Sequence, residues 1–420
     1  MPGSHRDSTA CTSRGARLAL ASISGGSFDV RITEVSTLKL RFSMATPMAD
    51  AIHYMPERNL LLVQITTDDS LVGLGECAAY GGSLDSMERV VLDDLQPSLI
   101  GEDPFHVERL WSRMARRSHQ RGTTGMLMQA ISGVDIALWD LIGQSTRTPL
   151  YRLLGGYRDT LEAYASAGFY AGGKGLAELA EEVGGYAERG FRTVKMKVGR
   201  NPEVMLNPLP DMWAPDYATV TLDEDVERVR AARAAIGPDV RLAIDANNAW
   251  TPSVAIQFMR RVTDQNIYWL EEPVATDDVA GSAEVAHALD VPVAGYETAT
   301  GLASFRDLIA QRAVDIVQPD VIWTGGITVC RKVAALAQAY GLPVVPHVFS
   351  SAVAAMANMH FIASLPNGGL LEFDQNPNVL RSELFEEAIE VESDGRVRLP
   401  ERPGLGVSLN QAIVNQYRIP

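Results

Sequence analysis

Cysteine is scarce in this chain. Cys11, Cys77 and Cys330 are odd in number and far apart in sequence, which argues against a disulfide frame and a closed zinc site and points to a reducing compartment, with the cytoplasm as the expected location. Basic residues are also in short supply, 37 against 52 acids, for a net charge of −15. Binding to nucleic acid would call for a clustered basic face. No uninterrupted apolar run reaches the roughly 18 residues needed to cross a bilayer. Nucleic acid and membrane are therefore not expected partners. With only 7 histidines there is no His-x-His at the end of a strand-like run, the usual ligand pattern of a metal-dependent barrel hydrolase. The acidic balance does not forbid an anionic substrate, because a metal and two lysines would dominate the local field.

What is present is length and apolar content: 420 residues, 46% hydrophobic, enough for a full barrel and a smaller domain. Residues 1–27 are rich in Ser, Gly, Ala and Arg without periodicity, as in a disordered extension, with a transit peptide as the alternative. From Asp29 the chain turns to strands over 30–42, 59–66 and 71–77, followed by helices. Asp85 and Glu88 fit a capping box, Pro104 suits a first helical position, and a helix is expected from about Thr124 to Ile142, ending before Gly143. The segment 43–57 reads as a long loop, yet Pro47, Met48, His53, Tyr54 and Met55 make it too apolar for one without a task. Strands then helices ahead of a βα repeat indicate an α+β domain attached to a barrel.

The chain centres on Phe191-Arg-Thr-Val-Lys-Met-Lys-Val-Gly199, a strand by its β-branched alternation and flanking glycines. Period two puts Lys195 and Lys197 on one face, where each should disfavour the other's protonated form and free one amine to accept a proton. The competing reading is an edge strand with two solvated lysines. Downstream, strand-like runs end in polar groups at a cadence of roughly 25 residues, one βα unit. They close on Asp245 and Asn247, Glu271 and Glu272, Glu297, Asp320, and His347, and Glu372 lies in the last. Each acid alone fits a helix N-cap. Their succession fits a parallel barrel, which gathers strand C-termini round one mouth. Between the lysine strand and the next helix, 200–222 is too long for a βα connection and carries Met205, Leu209, Met212, Trp213 and Tyr217. It is expected to wall a pocket or contact another subunit.

From Val30 to the C-terminus this pattern resembles the enolase superfamily, in particular its mandelate racemase subgroup. The resemblance implies an α/β fold, a modified TIM barrel (β/α)7β with an N-terminal α+β capping domain. The expected division is 28–155 for the cap, 156–385 for the barrel, and 386–420 for a segment returning to the cap. Lys195-Met-Lys197 resembles that subgroup's KxK motif, with Lys197 as base. Asp245, Glu271 and Glu297 resemble its three Mg²⁺ ligands, Asp320 and His347 its Asp-His dyad, and Glu372 the acid of its eighth strand. The choice of Glu271 over Glu272 rests on the family's usage. No lysine lies between Asp315 and Ile327, unlike the muconate-lactonizing group. Tyr54, Asn247 and Asp374 are the candidate substrate-binding residues. The segments 294–298 and 371–377 look most like acid-sugar dehydratases and cycloisomerases.

Oxygen donors alone select a hard cation, so Mg²⁺ is the expected cofactor. The implied activity is abstraction of the α-proton of a small-molecule carboxylate through an enediolate, stabilised by the cation and Lys195. Lys197 would serve one face, and His347, oriented by Asp320, the other. Glu372, kept protonated by apolar neighbours, would donate a hydrogen bond. Dehydration or cycloisomerisation of an acid sugar is the favoured outcome, racemisation or epimerisation of a 2-hydroxy acid the alternative. A barrel hydrolase and a barrel without catalysis are the competing classes. A homo-oligomer is expected.

Overall fold

The computed structural model describes residues 30–80, 82–117, 119–206 and 217–420. The N-terminal extension and Leu209, Met212 and Trp213 of the 200–222 segment lie outside these residues.

The first domain is an antiparallel sheet in the order Val72–Cys77, Tyr54–Thr67, Ile32–Ala49, Tyr170–Ala171. Its central apolar run has to satisfy two cores. Leu61, Val63 and Ile65 pack on one side with the helix Met126–Ser145, while Leu60 and Leu62, pointing the other way, join the large core shared with the barrel. Period-two geometry thus turns a continuous hydrophobic run into a sheet covered on both faces.

The segment 43–57, expected as a loop, is mostly strand. The ladder continues through Ser43↔Glu57, Met48↔Met55 and Ala49↔Tyr54, with a register shift between Ser43 and Met48 that accommodates Pro47. The turn is confined to 50–53, where Asp50 Oδ1 accepts from the backbone N–H of Ile52 at 2.8 Å and of His53 at 2.7 Å. The expected capping box is also corrected. Ser83 caps that helix through Ser86 N, while Asp85 and Glu88 meet Lys39 at 2.6 and 3.2 Å.

Helix Met126–Ser145 is long and apolar enough by composition to cross a membrane, but 78% of that stretch is buried inside the protein. It runs through Gly143, where a helix end was expected. A Cβ at Gly143 would stand 2.6 Å from Gly404 Cα, so the missing side chain lets the C-terminal segment pass.

Thr160–Ser166, Thr193–Lys197, Arg241–Asp245, Ile267–Glu271, Val293–Gly295 and Ile316–Val317 form a parallel sheet in chain order. Parallel bridges Val317↔Val344 and Val344↔Gly368 carry the ring onward, and Leu371–Asp374 closes it against Thr160–Ser166. Helices alternate with the strands, giving a TIM-barrel-like ring beside a separate antiparallel domain. The C-terminal segment adds Arg396–Arg398 to the first barrel strand, and helix Gln411–Tyr417 leads to Ile419, whose N–H donates to Lys39 O at 3.0 Å.

Candidate active site

The barrel interior begins with a plug of Tyr164, Ala243, Trp269, Ala294, Ile316 and Val345. Two residues onward along these strands, on the same face, come Asp245, Glu271, Gln318 and His347. Apolar layers fill the ring up to this level, and the next layer is chemical.

Lys195 and Lys197 share a buried face, on a strand paired on both sides by Thr160–Ser166 and Arg241–Asp245. The solvated-edge reading is thereby overturned. Lys195 Nζ contacts Glu271 Oε1, lies 2.8 Å from Glu372 Oε1 and 3.7 Å from Asp245 Oδ2. Lys197 Nζ contacts Asp245 Oδ2 and stands 4.9 Å from the centre of the Phe169 ring. The expected depression of the lysine pKa values is corrected as well. Burial lowers both, and Lys195 also lowers Lys197, but the carboxylates outweigh these effects and both amines are raised.

His347 Nδ1 is 2.8 Å from Asp320 Oδ2, and its Nε2 is 3.3 Å from Glu297 Oε2. Asp320 Oδ1 is held by Ile322 N at 3.0 Å and Asn358 Nδ2 at 3.1 Å. Burial pushes the imidazole down, but Glu297 and Asp320 hold its proton and carry it up to about 10. Glu372 Oε2 accepts from Val348 N at 2.8 Å. Burial favours its neutral form, yet the Lys195 ammonium holds this carboxyl well below the usual range, so it is ionised and not the expected donor.

The acids Asp245, Glu271, Glu272, Glu297, Asp320 and Glu372 are collected here and outnumber the cations Lys195, Lys197 and His347. Glu271 is raised to about 7 by burial and by Asp245 and Glu372, against Lys195. Glu272 is raised well up by burial, then by Glu297, Asp245 and Glu271. Such an excess of desolvated negative charge fits a divalent cation, and all-oxygen donors fit a hard one. Among the described residues no three of these groups already form a closed ligand set. Lys195 and Lys197 instead stand against the carboxylates, so loading a cation would require the amines to yield.

Gln318, Trp269 and Glu76 were not anticipated, and Glu272 was named only as the alternative to Glu271. Gln318 Nε2 and Trp269 Nε1 donate to Glu271 Oε2 at 3.0 and 2.9 Å and fix its rotamer. Gln318 was legible in principle, two residues before Asp320 on one strand face. Glu272 accepts from Glu297 N at 2.9 Å and Asn248 Nδ2 at 2.7 Å, which makes it a brace between strand ends. Glu76 reaches from the first domain to accept from Ser350, Ser351 and Ala354 N, just beyond His347.

A cavity of about 270 Å³ lies between the barrel mouth and the first domain. Glu297 and His347 form its floor, and the hairpin from Asp50 to Leu60 forms much of its wall. Tyr54 lines it, and that ring meets Tyr217 edge-on at 4.9 Å. Tyr217 also donates to Pro47 O at 2.6 Å, which ties the described end of the 200–222 segment to the hairpin. Asp374 is set back from the cavity: it holds Arg58 Nη2 at 3.1 Å and accepts from Asn376. Asn247 is buried at φ 40, its Oδ1 without a partner, also off the cavity wall.

The ring of strands, the charged layer at its C-terminal mouth and the capping sheet define a capped-barrel enzyme. Residues 32–155 match the family model of the mandelate racemase / muconate lactonizing enzyme N-terminal domain, and 176–413 match the enolase C-terminal domain-like model. The chain belongs to the mandelate racemase / muconate lactonizing enzyme family of the enolase superfamily. It is 36% identical over 391 residues to arabinonate dehydratase of Saccharolobus solfataricus, covering 92% of this chain and 99% of that protein. It is 32% identical over 401 residues to D-galactarolactone cycloisomerase of Agrobacterium fabrum, covering 93% and 100%. Among solved structures, a racemase from Streptomyces coelicolor A3(2) with bound magnesium superposes with a TM-score of 0.81 at 32% identity, over 92% of this chain and 100% of that one.

Proposed function

We propose that this enzyme removes the α-proton of a small-molecule carboxylate through an enediolate, with Mg²⁺ as cofactor, and that the result is dehydration or cycloisomerisation of an acid sugar. One observation carries the reading: Lys197 and the Asp320-supported His347 stand on different arcs of one strand ring, with Asp245, Glu271 and Glu297 on the strands between. Similar chains named for arabinonate and D-galactarolactone support the substrate class. A similar fold with bound magnesium supports the metal.

Asp245, Glu271 and Glu297 would hold the cation, which when bound would supply positive charge against that growing on the substrate carboxylate; an Asp245 engaged there would support the Lys197 ammonium less. Lys197 then accepts the α-proton. Lys195, kept charged by Glu271 and Glu372, donates to the oxygen on which negative charge develops. His347, protonated at rest, delivers a proton to the departing β-oxygen or ring oxygen. Glu372 orients Lys195 as an ionised partner, and Asp374 holds Arg58 in the cavity wall. Tyr54 touches the substrate side of the cavity. Proton return by His347 to the opposite face would make the same site a racemase or epimerase, and the racemase of similar fold favours keeping this second reading. We further propose that the enzyme works in the cytoplasm and as a homo-oligomer, the assembly to be checked by light scattering.

The test is α-proton exchange in deuterated water with Mg²⁺ over a library of sugar acids and lactones, followed by NMR. Lys197→Ala should lose exchange at one C2 configuration. His347→Asn should lose the other, together with turnover. Unchanged exchange and turnover in both variants would refute the assignment.

A further inference from the structure

The cavity lining has an imbalance of hydrogen-bonding groups where the hairpin meets the barrel strand ends. Among the described cavity-lining residues, the buried side-chain atoms without a partner are Arg58 Nε, Arg58 Nη1 and Trp323 Nε1, and all are donors. The carboxylates nearby already have partners: Asp50 is used by His53 and by the turn, and Glu57 by Asn59 and Arg41. Buried donors without acceptors are rare in native interiors and mark a place where another molecule supplies the oxygen.

Arg58 is built for that task. Its side chain is 5% exposed, its guanidinium lies 4.0 Å over the Phe349 ring, and Asp374 occupies Nη2 alone. A stacked, pinned guanidinium with free N–H groups matches the planar fork of a carboxylate. His53, half exposed on the same hairpin, has Nδ1 against Asp50 and so carries its remaining nitrogen as a further polar group at the cavity. The lining is thus uneven: Glu297 brings a carboxylate to it, while Arg58 and Trp323 bring donors with nothing to donate to.

We infer that Arg58, with the Trp323 indole N–H lining the same cavity, receives a second carboxylate at the far end of the substrate, so that the preferred substrates are dicarboxylic sugar acids and not their monocarboxylic counterparts. This rests on the proposed α-proton chemistry for the orientation of the near carboxylate. The group acts in binding only, with no covalent step.

The test compares pairs that differ only in the terminal carbon, hexarates against hexonates of the same configuration such as galactarate and galactonate, with the full-length Mg²⁺-loaded enzyme. Calorimetric affinity and α-proton exchange are read separately. The wild type should favour the diacid of the accepted configuration by about tenfold or more, because a desolvated donor left without its acceptor is penalised. Arg58→Met should collapse that ratio toward one, Arg58→Lys should restore part of it, and Trp323→Phe, which removes only the N–H, should reduce it by a smaller factor. A ratio measured on one sample does not depend on the fraction folded. Diacid preference that depends on Arg58 without exchange would uphold the anchor and sink the proton-abstraction reading. Exchange with no diacid preference, or a ratio unchanged in Arg58→Met, would overturn the anchor, and absence of both binding and exchange would overturn both.

Discussion

Asp320→Asn isolates the role assigned to His347. Asp320 Oδ1 accepts from Ile322 N at 3.0 Å and Asn358 Nδ2 at 3.1 Å, while Oδ2 faces His347 Nδ1 at 2.8 Å. In the variant the remaining oxygen stays with the two donors, which turns the new NH₂ toward the imidazole. Nδ1 must then accept, the ring proton moves to Nε2, and an imidazolium would set two donors against each other. Replacing a buried charge-assisted hydrogen bond with that mismatch costs about 2–3 kcal/mol, or roughly 30- to 150-fold in any step that needs His347 as an acid. Asp320 does not line the cavity, so the loss should fall on kcat and leave KM nearly unchanged. The pH profile gives an independent sign. Glu297 and Asp320 together raise His347 to about 10, and with Glu297 engaged by a cation it would be Asp320 that keeps the acid form. Without Asp320 the alkaline limb of kcat should move to lower pH. Dehydration measured alongside α-proton exchange separates the two faces, since exchange by Lys197 should survive. A variant with an unmoved alkaline limb and kcat within about twofold of wild type would refute the reasoning.

Metal removal has a readout apart from turnover. If Mg²⁺ relieves the repulsion among Asp245, Glu271 and Glu297, adding it to chelator-treated protein at about 100 times its Kd should stabilise the fold by roughly 2.7 kcal/mol, visible as a higher Tm. Glu271→Gln should blunt that shift, and an equal shift in both proteins would count against the ligand assignment. Gly404→Ala tests the anchoring of the C-terminal segment. Its φ is +67, and a Cβ would lie 2.1 Å from Asp140 Oδ1, the atom that accepts from Leu405 N at 2.7 Å, so a loss above about 2 kcal/mol in urea unfolding is expected. Glu76, raised to about 7 chiefly by burial, holds its proton more tightly folded than unfolded, so its contribution is full below about 4.5 and declines as pH rises through 7. Glu76→Gln should remove up to about 3 kcal/mol of that pH dependence between pH 4.5 and 7.5, and a wild-type-minus-variant difference independent of pH would refute it.

The barrel was legible because its chemistry repeats. Each strand had to close on a residue that packing does not require, and the interval between such residues was the length of a βα unit. Asp245, Glu271 and His347 lie on the inner face two residues beyond the apolar plug, and Asp320 follows its strand end a little further on. Protonation was not legible. Two adjacent lysines suggest mutual repulsion, but the sign is set by Asp245, Glu271 and Glu372, which reach those amines from other strands. Glu372 shows the same effect. Leu370, Leu371 and Phe373 argue for a neutral acid, and one ammonium at 2.8 Å reverses them. Neighbours in sequence are a poor guide to charge when a barrel brings distant strands together.

The hairpin shows the complementary failure. The segment 43–57 was expected as a loop between strands, and Pro47 within it lacks a ladder donor. The strands absorb it with a register shift and continue almost to the turn, so Tyr54 and Arg58 sit on paired positions, opposite Ala49 and Phe42. This changes how the cavity wall behaves. A side chain on a free loop would lose entropy on ordering round a ligand, whereas Arg58 is fixed in advance by its ladder, by Phe349 and by Asp374. The sheet that holds it is covered by a core on each face. Substitutions in the core between sheet and helix, remote from the cavity, would therefore act on substrate preference through the position of Arg58, while Lys197 and His347, carried by barrel strands, keep their relative geometry.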